Sequence, residues 1–400
     1  MSTHNDASHP VIIAGAGIGG LTAALALRQN GHSVIVMEKA RELSEVGAGL
    51  QLSPNACSVL DRLDVLSSLK ATAYAPENLR LWSGETGRQL ARVRLGAYLE
   101  QRHGQPFWVI HRADLQRALL EKVHQTPGVD LRLGAEILDL SPSPYGHLVC
   151  IYQTDEINGN LDCKALIGAD GVWSKTRKLV PAHQNAHFSG QVAYRATIPL
   201  DKLPARWSGD SGLWLHKNSH LVHYPIRGGR ELNIVALAEE AWQDETWSAR
   251  EEKETVLRVF KNWPADVRNL LKASETWLKW ALCSVDASGP WTHGHLALMG
   301  DAAHAMLPYM AQGAGMAIED AAILAKHLPA DVENVPAALR AFERERKPRV
   351  KRVQETASGN ARTFHLSGIP AFARDTVLRW SKPEALTARY DDIYGWTPER

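Results

Sequence analysis

The stretch from Pro10 to Glu38 constrains the fold of this chain more than any other. An apolar run, Val11 to Ala14, leads into Gly15-Ala16-Gly17-Ile18-Gly19-Gly20. An alanine- and leucine-rich segment follows, and then a second apolar run that ends on Glu38. Strand, G-x-G-x-x-G, helix, strand and acid within about 30 residues form the βαβ pattern of a dinucleotide site, which does not distinguish NAD from FAD.

Each part of this pattern has a physical role. Gly15 permits a tight turn, Gly17 lets the backbone approach a pyrophosphate, and Gly20 lets helix and strand pack closely. The start of the helix offers free N–H groups and the positive end of its dipole to phosphates. Glu38 is placed to accept hydrogen bonds from a ribose 2′-OH.

Composition and charge exclude several other classes. The 400 residues carry a net charge of +1 without a long basic block, so neither nucleic acid nor a membrane is expected as a partner. The four cysteines are scattered without a C-x-x-C pair, and no metal site is predicted. The segment from Met1 to His9 lacks the order of a signal peptide, and the apolar run from Val11 to Leu27 is interrupted by glycines. We expect a cytoplasmic protein of two or three domains.

Hydrophobic periodicity and turn residues predict the remaining elements. The predicted helices are Pro54 to Leu60 with Ser53 as N-cap, His111 to His124, Trp247 to Trp263, Pro264 to Ala273, Gly313 to Leu328, and Pro336 to Ser358 with a solvated charged face. The predicted strands are a hairpin over Leu79 to Leu95, residues 129–133, 136–140, 147–154 and 161–168, an antiparallel sheet over Gln191 to Ala238, and His295 to Met299. Residues 98–106 are predicted as a loop, and Gly47 and Gly49 as a tight loop near a ligand.

Three motifs, in order along the chain, resemble those of the single-component (group A) flavoprotein aromatic hydroxylases, the family of p-hydroxybenzoate, salicylate and 3-hydroxybenzoate hydroxylases. They are Gly15-x-Gly17-x-x-Gly20 with Glu38, Asp170-Gly171-x-x-Ser174-x-x-Arg177, and Gly300-Asp301 with His304 and Pro308. The Gly47-to-Ala56 loop and the segment His111 to Leu115 match as well, so the resemblance spans nearly the whole chain.

The resemblance implies an α/β fold with a Rossmann-like FAD-binding domain of the p-hydroxybenzoate hydroxylase type, an inserted antiparallel β-sheet substrate domain and C-terminal helices. The implied FAD-binding domain is discontinuous, over residues 1–75, 108–182 and 282–335. The substrate domain covers 76–107 and 183–281, and the C-terminal helical segment covers 336–400. NADH or NADPH is implied as a co-substrate without a Rossmann domain of its own, in agreement with the single G-x-G-x-x-G.

The resemblance also implies cofactor roles for individual residues. Glu38 is expected at the adenosine ribose, Arg112 at the ribose–pyrophosphate region, Asp301 at the ribityl chain, Asp170 with Gly171 at FAD and the transient nicotinamide, and Gln51 in the glycine-rich loop. Alternatives stay open, with Arg112 as a solvent-facing residue of a first helical turn and Asp170 as a helix cap. An acid such as Asp301, between a buried strand and small residues, needs a partner. His304 is expected to be structural.

The segment from Pro308 to Gly315 is expected beside the flavin ring. Reduced flavin is negatively charged near N1, and a helix N-terminus with exposed N–H groups at Gly313, Ala314 and Gly315 would stabilise that charge. Pro308 fixes the backbone close to where the resemblance implies that substrate binds. A plain glycine-rich helix start is the alternative.

The segment from Ser219 to Gly229 carries the candidates for substrate chemistry. As a strand it directs His220 and Tyr224 to one face, and Leu221 and His223 to the other. An aromatic ring reacts well when its phenol is ionised, so His220 is predicted as the base, Tyr224 as its partner in hydrogen bonding, and His223 as structural. The His-x-x-x-Tyr spacing resembles 3-hydroxybenzoate 6-hydroxylases and 6-hydroxynicotinate 3-monooxygenases. A surface histidine and a core tyrosine are the alternative.

The activity implied by the resemblance is hydroxylation of a hydroxylated aromatic acid, in which NAD(P)H reduces FAD and O₂ adds to give a C4a-hydroperoxyflavin. A hydroxybenzoate, as in 3-hydroxybenzoate 6-hydroxylases, is the first expectation, although Pro308 stands where those enzymes have Gln. Salicylate 1-hydroxylase and 6-hydroxynicotinate 3-monooxygenase are alternatives, and a NAD-dependent dehydrogenase is the alternative from a different class. Arg195 either attracts a substrate carboxylate or joins a surface or inter-strand salt bridge. A monomer or homodimer is expected.

Overall fold

The computed structural model describes residues 9–43, 49–143, 146–242 and 248–399. The strands in these ranges are β1 (Val11–Ala14), β2 (Val34–Glu38), β3 (Gly49–Leu52), β4 (Asn78–Ser83), β5 (Gln89–Arg94), β6 (Trp108–His111), β7 (Val129–Leu133), β8 (Glu136–Pro142), β9 (Leu148–Gln153), β10 (Asn158–Cys163), β11 (Ala165–Gly168), β12 (His187–Pro199), β13 (Ser211–His216), β14 (Ser219–Ile226), β15 (Glu231–Glu239), β16 (Ser248–Glu251), β17 (Trp277–Ser284), β18 (Thr292–His293) and β19 (Leu296–Leu298).

The α-helices in the same ranges are α1 (Ile18–Gln29), α2 (Pro54–Arg62), α3 (Gly96–His103), α4 (Arg112–His124), α5 (Lys253–Val259), α6 (Ala265–Lys272), α7 (Asp301–His304), α8 (Gly313–His327), α9 (Val335–Phe364), α10 (Gly368–Trp380), α11 (Pro383–Ala388) and α12 (Asp391–Tyr394). A short 3₁₀ turn, Pro308–Met310, precedes α8. In the part of the chain that the structure describes, none of these helices is both long enough and apolar enough to cross a bilayer.

A six-stranded sheet of order β18-β19-β11-β1-β2-β7 carries the βαβ unit. β19, β11, β1, β2 and β7 are parallel, and only β18 is antiparallel to its neighbour. All four residues of β1 are buried, as expected for a strand covered on both faces. Because parallel strands end at one common edge, the residues after β1, β2 and β11 meet there. Gly15 follows β1, and Ala169 and Asp170 follow β11. Glu38 is the last residue of β2 and lies at the same edge.

An eight-stranded sheet of order β16-β17-β12-β15-β14-β13-β4-β5 stands apart from the first. Its strand pairs are antiparallel, except for the parallel pair β13 and β4. One face buries Leu221 against Phe260 and Leu271, on and just beyond the helices α5 and α6. The other face turns towards the cavity described below. Residues 78–94 therefore share a sheet with residues 187–284, while the domain boundaries stay predictions.

Most predicted elements occur close to their predicted bounds. The hairpin over Leu79 to Leu95 is β4 with β5, the helix after Ser53 is α2, and the helix predicted from His111 is α4, with His111 accepting a hydrogen bond from the Ala113 N–H as N-cap. The predicted antiparallel sheet over Gln191 to Ala238 is β12 to β15. Gly47 and Trp247 lie outside the described residues.

Three predictions of local structure are wrong. Residues 98–106 are not a loop, because α3 buries Leu99 completely and ends at Gly104 in the left-handed conformation. The predicted strand 161–168 is two strands, since the chain leaves one sheet and joins another at Lys164, whose ammonium is buried near His32. The helix predicted to Trp263 is preceded by a strand, β16, which pairs with β17.

The charges of α9 are not all solvated, which corrects another prediction. Arg346 is 1% exposed and donates hydrogen bonds to Glu319 and Asp320, both of them fully buried on α8. Arg349 adds two hydrogen bonds to Glu319. Buried charges are tolerated only when they are paired and hydrogen-bonded, so this cluster ties α9 to α8 in one orientation. It fixes the helix whose N-terminus faces the cavity.

Candidate active site

One cavity of about 670 Å³ runs from the glycine-rich loop after β1 to the inner face of the eight-stranded sheet. It brings together residues from all three distant motifs. The predicted site residues that line it are Gly15, Gly17, Glu38, Gln51, Arg112, Asp170, Gly171, His220, Tyr224, Asp301, Pro308, Gly313 and Ala314. Gly20 and Gly315 do not line it, because each packs against protein atoms instead.

The three glycines of the first motif fit the roles predicted for them. Gly15 has φ +102°, and a Cβ there would lie 2.6 Å from the Ala169 carbonyl oxygen. A Cβ on Gly20 would lie 1.9 Å from the Gly15 carbonyl oxygen, which only glycine avoids. Gly17, in contrast, has no atom within 4 Å of the Cβ position, so that this side of the loop is open. It is the N-cap of α1, whose first turn has no acidic residue and no side-chain cap.

This open, uncapped helix start fits the phosphates of a dinucleotide. Unpaired N–H groups and the dipole favour an anion there. Glu38, on the same edge, accepts hydrogen bonds from the Ala16 N–H and the Ala40 N–H, each at 2.9 Å. Its carboxylate thus orders the loop as well as bordering the cavity. Arg112 lines the cavity from the first turn of α4.

Asp170 forms its hydrogen bonds within its own turn, before a short 3₁₀ helix over Thr176–Leu179 whose N-cap is Lys175. Its two carboxylate oxygens accept hydrogen bonds from the Ser174 and Thr176 hydroxyls and from the Lys175 and Thr176 N–H groups. Gly171 follows with φ +78° and open space around its Cβ position. The turn therefore presents backbone to the cavity, and a role of Asp170 at FAD or nicotinamide stays a prediction.

Asp301 points into the cavity, while the residues around it are locked. The Gly300 N–H donates to Asp320 at 2.9 Å, and His304 Nε2 lies 2.6 Å from the same carboxylate. His304 is 1% exposed, so it is structural, as expected. Asp301 itself is exposed at the cavity, and no described residue forms a hydrogen bond with its side chain. An exposed carboxylate is solvated and does not require a protein partner, so a role of Asp301 at the ribityl chain stays a prediction.

The turn before α8 and the start of that helix line the cavity with Pro308, Ala311, Gly313 and Ala314. Ala311 has φ +52°, a left-handed conformation that redirects the chain into α8. Gln312, the N-cap, directs its side chain to Ser53 and Asn55 and does not cap the helix. Gly313 and Ala314 line the cavity, so the uncapped start of α8 faces it. This helix terminus favours an anion such as a reduced flavin ring.

The faces of β14 are those predicted from the period of two. His220, Val222 and Tyr224 line the cavity, and Leu221 lies in the core under α5 and α6. His223 packs against Trp207 on that second face. Burial, and then the neighbouring His365, hold the pKa of His220 well below its usual value, so its imidazole is neutral. Burial raises the pKa of Tyr224, and Arg195 opposes that shift.

His220 does not pair with Tyr224. Residues four apart on one strand are separated by roughly 13 Å, too far for a direct hydrogen bond. The partner of His220 is His365, with Nδ1 and Nε2 3.0 Å apart. His365 was missed because it ends α9, 145 residues further along the chain, and no spacing in the sequence connects it to β14. The neighbour of the Tyr224 ring is instead the backbone of Gly49. The two are so close that a Cβ atom on Gly49 would lie 2.4 Å from the ring.

Arg195 is not part of a salt bridge in the described chain. Its guanidinium lies 4.2 Å above the Trp280 ring, its Nε is buried without a hydrogen-bond partner, and both side chains line the cavity. The salt-bridge alternative is therefore wrong. Burial lowers the pKa of Arg195 to about 10, which leaves it charged at neutral pH.

Comparison with known proteins agrees with this architecture. The FAD binding domain family matches residues 8–357, so the chain belongs to this family. It is 36% identical over 389 residues to 3-hydroxybenzoate 6-hydroxylase 1 of Aquipseudomonas alcaligenes, covering 96% of this chain and 97% of that one. It is also 36% identical over 398 residues to a 3-amino-4-hydroxybenzoate 2-monooxygenase of Streptomyces platensis, covering 98% and 97%.

A solved structure shares the fold at lower identity. Klebsiella pneumoniae HpxO, complexed with FAD and uric acid, superposes with a TM-score of 0.83 at 21% identity over 98% of both chains. The resemblance to group A flavoprotein aromatic hydroxylases, the fold class, the FAD cofactor and the monooxygenase class are thereby confirmed. The dehydrogenase alternative is wrong.

Proposed function

We propose that this chain hydroxylates a hydroxybenzoate, with 3-hydroxybenzoate and ring position 6 as the first candidate, and that NADH or NADPH is the reductant. The observation that carries the substrate class is Arg195. Arg195 is half-buried, its Nε is buried without a hydrogen-bond partner, and it has no carboxylate partner in the described chain, so an anion would stabilise it. A substrate carboxylate would supply it.

Arg195 lies across the sheet from the strand that carries the proposed base. Arg195 on β12 is paired with Val235 on β15, and Val235 is paired with Val222 on β14. Two strand spacings, about 10 Å, therefore separate Arg195 from the strand that carries His220. A benzoate ring lying across β15 would meet Arg195 with its carboxylate and the His220 imidazole with its hydroxyl.

The chemistry at the hydroxyl follows from the state of His220. Because burial keeps the imidazole neutral, it can accept a proton from a phenol at Nε2, while Nδ1 is held by His365. A phenolate is the more electron-rich ring, and so the better acceptor of an electrophilic oxygen. Tyr224, on the same face with a raised pKa, keeps its proton and can donate a hydrogen bond to the substrate.

The cofactor would occupy the rest of the cavity. Glu38 and Arg112 would hold its adenosine end, Gly17 and the start of α1 its phosphates, and Asp301 its ribityl chain, with Gln51 and Gly171 alongside. The turn at Pro308 and the start of α8 would border the flavin ring. Bound FAD would supply the redox chemistry by which one oxygen atom of O₂ enters the substrate and the other leaves as water, with NADH or NADPH as the source of electrons.

The test is substrate-stimulated oxidation of NADH and NADPH, with product identification. The panel is 3-hydroxybenzoate, salicylate, 4-hydroxybenzoate, 3-amino-4-hydroxybenzoate and 6-hydroxynicotinate, with 3-hydroxybenzamide as the uncharged match of the first. We expect the acid to be preferred over the amide by about 100-fold in kcat/KM, the effect of a buried charge pair. Arg195→Met should remove this preference. Arg206→Met, an exposed arginine paired with Asp266 away from the cavity, should keep it.

The panel separates the alternatives. Fastest product formation from salicylate or 6-hydroxynicotinate would replace 3-hydroxybenzoate as the proposed substrate and keep the carboxylate site. Equal use of acid and amide by the wild type would refute the role of Arg195.

A further inference from the structure

The hydrogen bond between His220 and His365 begins a chain of groups that leads out of the cavity. Nδ1 of His220 lies 3.0 Å from Nε2 of His365. The other ring nitrogen of His365, Nδ1, lies 4.0 Å from Oε1 of Glu239 at the end of β15. Exposure increases in the same order, from 2% for His220 to 9% and 48% for the side chains of His365 and Glu239.

The described residues around the two imidazoles hold both rings in place. Tyr309 packs on both rings, at 4.9 and 5.6 Å between centroids, but its hydroxyl donates to Gln191. Phe364 lies edge-on to His220. Arg374 on α10 donates to the carbonyls of residues 363 and 364, and so fixes the end of α9 where His365 stands. Glu239 is the carboxylate that faces this pair.

We propose that His365 takes the proton that His220 removes from the substrate and passes it to Glu239 and solvent. This rests on the proposed function, in which His220 is the base. In the starting tautomer, His220 carries hydrogen on Nδ1 and His365 carries hydrogen on Nδ1. The substrate O–H proton moves to His220 Nε2, the His220 Nδ1 proton moves to His365 Nε2, and the His365 Nδ1 proton leaves to Glu239 or water.

Both imidazoles end neutral, with their hydrogens exchanged between the two ring nitrogens, and the same path run backwards returns a proton to the product. A relay is needed because neither ring can keep a second proton. Burial, and then Arg374, lower the pKa of His365 to about 4, and burial lowers that of His220 as well. A proton left on His220 would be a buried charge with no carboxylate beside it in the described chain, whereas a proton on His365 lies next to Glu239. The 4.0 Å gap to Glu239 requires only a rotation of a half-exposed side chain or one water.

The test compares His365→Ala with His365→Phe. Both remove the relay, but only alanine leaves space for a small base from solution. We expect product formation with saturating substrate to fall about tenfold in each, which is less than the roughly 10² to 10⁴-fold typical of a group that itself exchanges a proton with the substrate. Added imidazole should restore the alanine variant in proportion to its free-base concentration, and leave the phenylalanine variant unchanged. Flavin content and thermal unfolding of each variant report whether the fold is intact.

An unchanged rate in His365→Ala, or a lost rate that imidazole does not restore, would overturn the relay. If the alanine variant loses flavin, His365→Gln takes its place, because it keeps a polar side chain but cannot pass a proton. A normal rate in that variant would equally overturn the relay. Glu239→Gln should lower the rate less, since water can replace the exposed carboxylate.

Adding His365→Ala to His220→Phe separates this inference from the proposed function. Residues that act in one path are not additive, so the double variant should be no slower than His220→Phe alone. A further tenfold loss would show that His365 acts independently of His220, and would contradict the relay. If His220→Phe keeps the wild-type rate, the base itself is misassigned. If His220→Phe is slow and His365→Ala is normal, only the relay fails.

Discussion

His220 and His223 lie three residues apart on β14 and face opposite sides of the same sheet. Both are almost fully buried, at 2% and 5% exposure, and burial lowers the pKa of both. His220 lines the cavity and shares a hydrogen bond with His365. His223 packs at 4.9 Å against Trp207, and its Nδ1 has no hydrogen-bond partner in the described chain.

The difference teaches that a lowered pKa does not by itself mark a functional histidine. Desolvation alone keeps His223 neutral, and His223 does not line the cavity. On the cavity face the same desolvation leaves a neutral imidazole beside open volume, with Arg195 across the sheet. Contact with a cavity and with a second titratable group distinguishes the two sites.

The largest expected effect is the loss of activity in His220→Phe, which we compare with His223→Phe. Phenylalanine keeps a ring of similar size at both positions. His220→Phe should lower coupled product formation by about 10² to 10⁴-fold, the contribution typical of a general base, while flavin is retained. His223→Phe should stay within a few-fold of the wild type. Product formed per NAD(P)H oxidised and flavin absorbance are measured in both. Equal losses in the two variants would mean that the faces do not differ in function.

Much of this contrast is visible in the sequence, because it depends on local geometry. The period of two places His220 and Tyr224 together and Leu221 opposite them, and the spacing of Gly15, Gly17 and Gly20 predicts the loop they form. What packs on each face was not predictable. His365 reaches β14 from the end of a long helix, and Arg346 pairs with α8 although its own helix is strongly charged.

The errors in local structure have the same origin. The segment around Leu99 is helical because Leu99 packs into a core cluster of residues that are distant in sequence. The predicted strand is interrupted at Lys164 because the residues before it pair in one sheet and the residues after it pair in another. Tertiary packing overrides weak local preference in both places. Arg195 could be named from the sequence, but the choice between a salt bridge and a substrate anion required its surroundings.

A second prediction compares Leu221 with Val222, neighbours on opposite faces. Leu221 is fully buried in the core under α5 and α6, so Leu221→Ala should lower the free energy of unfolding by about 2 to 5 kcal/mol. Val222 is half-buried at the cavity, and Val222→Ala should cost about 1 kcal/mol and change KM instead. Urea unfolding and steady-state kinetics measure the two effects. A larger stability loss for Val222→Ala would reverse the assignment of the faces.

The smallest expected effect is a change in how the free energy of unfolding depends on pH, and it concerns His223 alone. The pKa of His223 is about 3 in the folded protein, lowered from 6.5 by burial. Above 6.5 neither state binds the proton and His223 contributes nothing to pH dependence. Below 6.5 the unfolded chain binds it and the folded protein does not, so the free energy of unfolding falls by about 1.4 kcal/mol per pH unit, roughly 2 kcal/mol by about pH 5. The loss levels off only below the folded pKa.

His223→Phe removes this contribution and leaves His220 and His365 in place, so their pH dependence cancels in the comparison. Urea unfolding gives the free energy of unfolding of both proteins at about pH 7.5 and about pH 5. On acidification the free energy of unfolding of the variant should rise by roughly 2 kcal/mol relative to that of the wild type. If the difference in the free energy of unfolding between variant and wild type is the same at both pH values, His223 takes up its proton in the folded protein. The packing against Trp207 would then be open to water, and the two faces of β14 would be less different than their burial indicates.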